Sequence, residues 1–184
     1  MAVMNASADD LRYPIGTFGS PDPVTPEHVE AWTADIERLP VDLRASVTRL
    51  DDAQFDTPYR PGVWTVRQVV HHVPDSHLNS LIRFKWALTE DRPTIKPYDE
   101  RGWAALPDYR TVPIVDSLDL LDTLRRRWIG LLRSLSWEQL QREFVHPDTG
   151  SAATLALTVG AYAWHGRHHL AHIDRLIARE GWAR

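Results

Sequence analysis

The chain has 184 residues, of which 43% are hydrophobic and 25% are charged, and its formal net charge is −4. This length predicts one domain over residues 1–184 that can bury a sizeable core, and the composition is typical of a soluble globular protein. The lack of cysteine excludes a disulfide framework, thiolate metal ligands and a cysteine nucleophile.

Charge and hydropathy also narrow the set of partners. Lysine and arginine form no large cluster, and the short basic stretch LRRRW at 124–128 is interpreted as a solvated helix face. We therefore expect no nucleic-acid partner. No run of 18 apolar residues is present, so we expect no membrane span. Two aspartates lie where a signal peptide needs an apolar segment, which favours a cytoplasmic protein.

The first predicted elements are an arm and a helix. Residues 1–25 contain several prolines and glycines and are expected to form an extended arm that packs on the domain. Thr25 and Pro26 are typical of an N-cap and a first helical position. The helix is predicted to end near Leu50, with a kink or a division at Pro40.

Residues 50–62 are predicted to form a connector with at most one short helical turn. The second helix is expected from Trp64–Thr65 to about Thr89, followed by a long loop over 90–113. Loops of this length in compact domains are often functional.

The C-terminal part begins with a third helix, predicted from Ser117 to Leu135. Ser136 is expected to cap a short helix, and 145–152 to form a turn or a short hairpin. The last helix is predicted from about Thr154 to Arg179, ending near Gly181. Four long helices with little strand signal predict an all-α protein, a four-helix bundle with a long loop between helices 2 and 3. Bundle cores commonly hold metal sites.

The second predicted helix carries three histidines in the stretch VVHHVPDSH at 69–77. His77 falls on the apolar stripe and is interpreted as a hydrogen-bonded core histidine. His71 projects elsewhere and is expected to be exposed or to lie beside the ligands. His72 shares a stripe of short hydrogen-bonding groups that suits a polar pocket inside a bundle: Gln68, Asp75, Ser76, Asn79 and Arg83.

The last predicted helix carries the motif WHGRHHLAH. His165 and His169 are four residues apart, so both imidazoles lie on one helix face, a spacing at which two histidines can share a divalent metal. Apolar neighbours do not supply the hydrogen bonds that two buried imidazoles require. His172 flanks this face. Three imidazoles from two helices, with positions left open for water, predict a catalytic metal site.

Four stretches resemble the YfiT-like branch of the DinB superfamily: YPIGTF at 13–18, residues 57–100, HPDTG at 146–150 and YAWHGRHHLAHI at 162–173. The resemblance extends from about residue 13 to 183 and implies a four-helix bundle that holds a divalent zinc or nickel ion. Transferred to this sequence, the implied ligands are His72, His165 and His169. Pro74 departs from the alanine of family members, and Gly166–Arg167 replaces more polar residues. At Pro74 we expect a local kink or bulge that the site tolerates.

The resemblance implies two activities, and the residues leave a third alternative open. The first activity is transfer of a low-molecular-weight thiol, such as bacillithiol or mycothiol, onto electrophiles in detoxification. In this hypothesis Asp75 or His172 orients the metal ligands, and Arg83 binds a carboxylate of the thiol. The second is metal-dependent hydrolysis of a small amide or ester, with Asp75 as the nearby base. The third is a non-enzymatic, metal-stabilised stress-response module. A small-molecule substrate and a homodimer are expected, the latter because eight tryptophans provide aromatic surface.

Overall fold

The computed structural model describes residues 11–182, and four long helices dominate it. The long helices are α1 (Pro26–Val47), α3 (Val66–Thr89), α6 (Ile114–Ser134) and α8 (Leu155–Glu180). The connections contain the short helices α2 (Asp52–Phe55), α4 (Glu100–Ala104), α5 (Asp108–Thr111) and α7 (Trp137–Leu140). They also contain an antiparallel hairpin of β1 (Glu143–Val145) and β2 (Ala152–Thr154), in which Phe144 pairs with Ala153. The predicted all-α four-helix bundle is confirmed.

Side chains at the helix ends satisfy backbone groups that a helix itself leaves unpaired. Thr25 and Thr65 begin α1 and α3 with capping boxes, and Thr154 accepts a hydrogen bond from the Leu157 amide at the start of α8. Gly181 ends α8 with a φ of 67°, a left-handed conformation that glycine adopts without steric cost. These caps explain why the predicted starts of the first, second and last helices agree with the structure.

Three expectations about the elements were wrong. Helix α1 ends at Val47 rather than near Leu50; of the kink or division expected at Pro40, the division is not seen. The third long helix begins at Ile114, three residues before the predicted Ser117, because Pro113 is compatible with a helix start. Residues 90–113 are not one irregular loop, since α4 and α5 lie within them.

Helices α1 and α8 pack closely against each other. Helix α1 packs on α8 and α6, and α3 packs on α6 and α8. A Cβ atom at Gly160 would lie 2.9 Å from the indole ring of Trp32, and one at Gly166 would overlap the side chain of Leu39. These two glycines therefore permit the approach of α1, which gives a steric reason for glycine at position 166.

The described part of the N-terminal arm lies against α8. Trp164 donates a hydrogen bond from Nε1 to the Gly16 carbonyl over 3.1 Å, and Arg175 donates to the Pro14 carbonyl. The Tyr13 ring lies 6.2 Å from the His168 ring. The predicted packing of the arm is therefore seen from residue 11 onwards, and residues 1–10 lie outside the described range. Within residues 11–182, no helix is long and apolar enough to cross a membrane.

Candidate metal centre

Three histidines from two helices converge in the middle of the bundle. His72 comes from α3, whereas His165 and His169 come from consecutive turns of α8. The ligand atoms that they offer all lie within 4.8 Å of one another. The Nε2 atom of His165 is 3.2 Å from Nε2 of His72 and 3.1 Å from Nε2 of His169. The structure thus brings together the three residues that the sequence singled out.

These distances fit a shared divalent ion better than hydrogen bonding among the rings. A neutral imidazole nitrogen carries either one proton or one lone pair, so Nε2 of His165 can form one good hydrogen bond, not two. Metal–nitrogen bonds of about 2.0–2.1 Å place neighbouring ligand atoms about 2.9–3.4 Å apart at tetrahedral or octahedral angles. The observed separations of 3.1 and 3.2 Å fall within that interval. The triad can therefore bind a metal ion.

Burial keeps the three imidazoles in the neutral form that metal binding requires. Desolvation lowers the pKa of His72 to about 2 and that of His165 to about 4, and a neighbouring histidine adds to each shift. Desolvation also holds the pKa of His169 well below its usual value. Since the charged form of each ring is disfavoured, all three offer a free lone pair at neutral pH.

Hydrogen bonds from the protein do not orient the three rings. Among residues 11–182, the Nδ1 atoms of His72, His165 and His169 have no hydrogen-bond partner. Asp75 instead accepts a hydrogen bond of 2.6 Å from the Tyr109 hydroxyl. The orienting role expected of Asp75 is therefore not seen in this geometry, and the rings are held by packing.

The other two candidate site residues also have partners away from the triad. Nε2 of His172 lies 3.0 Å from Nε2 of His168, and the His172 ring packs 4.1 Å from the Tyr59 ring. Burial lowers the pKa of His172 to about 3. Arg83 donates from Nη1 to the Tyr162 hydroxyl over 3.2 Å. The structure thus places both residues near the centre without a hydrogen bond to its ligands.

Two expectations about the remaining histidines of α3 were wrong. His71 is neither exposed nor beside the ligands, because it is 4% exposed and its Nδ1 lies 2.7 Å from the Ser117 hydroxyl. His77 lies in the core as predicted, yet neither ring nitrogen has a hydrogen-bond partner among residues 11–182. Helix α3 itself continues without interruption through Pro74.

Aromatic residues beside the triad were not identified from the sequence. The Trp64 ring lies 4.6 Å from the His72 ring and 6.3 Å from the His169 ring. Trp64 also borders a cavity of about 550 Å³, which is lined by Tyr59, Arg60, Gly62, Val63, Trp64, Gln68, Glu100 and Arg101. Trp64 therefore packs against two histidines of the triad and also lines the cavity, whose other lining residues do not include the triad. The only feature of the sequence that could have indicated this position is that Trp64 directly precedes Thr65, the N-cap of α3.

A family model described as the DinB superfamily matches residues 35–173. The chain belongs to the DinB superfamily. It is 56% identical over 174 residues to proteins from Bacillus cereus and Bacillus anthracis, and each match covers 95% of this chain and 99% of the relative. Both relatives carry the name "Putative metal-dependent hydrolase".

A solved structure supports the same family and fold. YfiT from Bacillus subtilis is 48% identical and superposes with a TM-score of 0.92, covering 95% of this chain and 99% of YfiT. YfiT is described as a probable metal-dependent hydrolase with an unusual four-helix bundle topology. The names of these relatives agree with an enzyme that depends on a metal, and they do not specify its substrate.

Proposed function

We propose that this protein is a metal-dependent enzyme that transfers a low-molecular-weight thiol onto small electrophiles. The observation that carries the proposal is the donor set. Three neutral histidines meet beside Trp64, which also lines a cavity of about 550 Å³. Among residues 11–182, no carboxylate belongs to the group of ligand atoms that lie within 4.8 Å of one another. If His72, His165 and His169 bound a zinc or nickel ion, none of these ligands would carry a negative charge that offsets the charge of the ion.

Such an ion supplies Lewis acidity and lowers the pKa of a thiol or a water molecule that reaches it. Soft sulfur ligands suit zinc and nickel sites. Because the chain contains no cysteine, no thiol of the chain competes for the ion. The aromatic rings of Tyr59 and Trp64, together with Arg60 at the cavity wall, provide contacts for a small polar molecule.

The transfer step balances without an oxidant or a reductant. The thiolate sulfur forms a bond to the electrophilic carbon, the carbon–halogen bond breaks, and the halide leaves with the electron pair. The thiol proton passes to solvent. The histidines would remain neutral throughout, and their role would be to hold the ion.

A second candidate, hydrolysis of a small amide or ester, is favoured by the names of the relatives. Hydrolysis needs a base for the attacking water besides the metal. Asp75 is the carboxylate nearest in sequence to His72, and its oxygen is bound by the Tyr109 hydroxyl. That contact reduces its availability, so we rank hydrolysis second. The expected small-molecule partner, the homodimer and the role in detoxification remain part of this proposal.

The test compares thiol-dependent and thiol-independent turnover of the metal-loaded protein. We expect conjugation of bacillithiol or mycothiol to monochlorobimane above the uncatalysed rate, and loss of that rate in His165→Ala. His146→Ala is a matched control, because His146 lies in the hairpin segment away from the triad. Hydrolysis of an ester or amide panel without added thiol, with no conjugation, would replace the first candidate by the second.

A further inference from the structure

Hydrogen-bond donors without acceptors collect on one side of the metal centre. Arg83 of α3 donates from Nη1 to the Tyr162 hydroxyl of α8, but its Nε–H is shielded from solvent and has no acceptor among residues 11–182. The same holds for the hydroxyl of Tyr98, which precedes α4. Buried donors of this kind are normally paired, so each unpaired donor requires an explanation.

These hydrogen-bond donors lie near one another. The Ser76 hydroxyl interacts with both the Tyr98 and the Tyr162 phenols. Tyr162 accepts a hydrogen bond from Arg83, so its hydroxyl still carries a proton that it can donate. Two phenols, one hydroxyl and one guanidinium therefore lie close to one another.

The acidic groups nearby do not neutralise Arg83. Glu100 is an exposed residue whose charge interacts with Arg83, yet no ion pair within 4.0 Å joins them. Asp75 is engaged by Tyr109 at 2.6 Å. Glu100 therefore acts on the guanidinium only through space, and the Nε–H of Arg83 is left without an acceptor. An arginine donor in this state can bind an anion.

The donor group lies beside the triad, and Glu100 connects it with the wall of the cavity. The Tyr162 ring lies 5.9 Å from the ring of His165. Glu100, which interacts with Arg83, also lines the cavity of about 550 Å³ beside Trp64. A molecule bound at the triad can therefore extend past Tyr162 towards Arg83 with another part of its structure.

We propose that Arg83, Tyr98 and Tyr162 form a subsite for a carboxylate on the small molecule that reacts at the metal centre. Nε–H of Arg83 and the two phenol hydroxyls donate to the carboxylate oxygens, and the guanidinium supplies the opposite charge. The identity of the reacting molecule rests on the proposed function, whereas binding of the carboxylate does not. The carboxylate belongs either to the thiol or to the electrophile.

Binding of matched acids and alcohols to the metal-loaded protein tests the subsite without turnover. Calorimetry would compare mercapto acids of three to six carbons with the corresponding mercapto alcohols, and 4-chloro-3-nitrobenzoate with its amide. We expect each effective acid to bind at least ~10-fold more tightly than its neutral analogue, because charge-assisted hydrogen bonds are the strong ones. Preference in the thiol series or in the aromatic series identifies which molecule carries the carboxylate.

Variants separate the subsite from general effects of charge and folding. Arg83→Gln should abolish the preference for acids while neutral analogues bind within ~2-fold of the original protein, and Arg83→Lys should retain part of the preference. Arg127→Gln is a control with the same charge change at an exposed position of α6. Metal content and the thermal melting curve of each variant report on folding.

The outcomes distinguish the two proposals. Acid preference that depends on Arg83, without any thiol conjugation, supports the subsite and removes the transferase proposal. Conjugation with no acid preference in either series overturns the subsite and leaves the transferase proposal standing. Acid preference that persists in Arg83→Gln also overturns the subsite.

Discussion

The histidine triad and His77 are alike in their burial, but their ring nitrogens point at different kinds of neighbour. His72, His169 and His77 are all buried, and every one has a ring nitrogen without a hydrogen-bond partner among residues 11–182. Burial lowers the pKa of His77 to about 3, comparable to the shifts in the triad. His77, however, stands edge-on to the Trp128 ring at 5.4 Å, whereas the triad nitrogens face one another.

Convergence, rather than burial or a low pKa, therefore distinguishes a ligand site from a histidine enclosed in a core. Within residues 11–182, His77 does not belong to the group of ligand atoms that lie within 4.8 Å of one another. An unpaired buried nitrogen costs stability in either place. Only in the triad can one ion satisfy three of these nitrogens at the same time.

The largest expected effect is the loss of metal affinity in His165→Ala. His165 Nε2 lies between the other two ligand atoms, so its removal leaves two donors. Since even residues that only orient a metal ligand change affinity by about 10–100-fold, we expect the zinc dissociation constant to rise at least ~100-fold. Competition with a chromophoric chelator measures it. Unchanged affinity would contradict the assignment of the triad.

The next largest effect is the loss of stability of the metal-free protein in acid. The pKa of His165 is lowered by burial to about 4 and that of His77 to about 3, below the unfolded value of about 6.5. Between these values the unfolded chain binds more protons than the folded chain, so the free energy of unfolding rises with pH. The contribution is fully present above about pH 6.5 and is lost as the pH falls towards about 4 and below.

Urea unfolding at pH 7.5, 6.0 and 4.5 measures this dependence. Each pKa unit corresponds to about 1.4 kcal/mol of differential stability for each group. His77→Leu should reduce the slope without removing it, because the triad still contributes. A free energy of unfolding that stays constant or increases towards pH 4.5 would contradict the lowered pKa values.

The smallest effect is expected for His77→Leu at neutral pH. The substitution removes two unpaired buried nitrogens and keeps an apolar side chain of similar size, so we expect the free energy of unfolding to increase by about 1 kcal/mol. Zinc affinity should remain within ~2-fold. Loss of metal binding in this variant would show that His77 belongs to the centre and would remove the contrast with the triad.

The sequence predicted the triad because its geometry is mostly local. His165 and His169 share a face of α8 through their spacing alone, and the polar stripe on α3 selects His72. Packing of α3 on α8 then brings the three together. Helix caps were also predictable, since Thr25 and Thr154 act within the first turn of their own helices.

Features that depend on a second element were not predictable from one helix. His71 is buried, and its Nδ1 lies 2.7 Å from the hydroxyl of Ser117 on α6. Helical periodicity carries no information about a partner on another helix. Tyr98 and Tyr109 lie in the segment over 90–113, where no repeating pattern indicates a direction. Their contacts with α3 arise only when α4 and α5 fold against it.

Anomalous diffraction from crystals of the zinc-loaded protein tests the central claim most directly. We predict one anomalous peak for each chain at the zinc edge, within about 2.0–2.1 Å of the Nε2 atoms of His72, His165 and His169, and no such peak beside His77. A peak bound by other side chains, or the absence of a peak at the triad in crystals that contain zinc, would contradict the assignment.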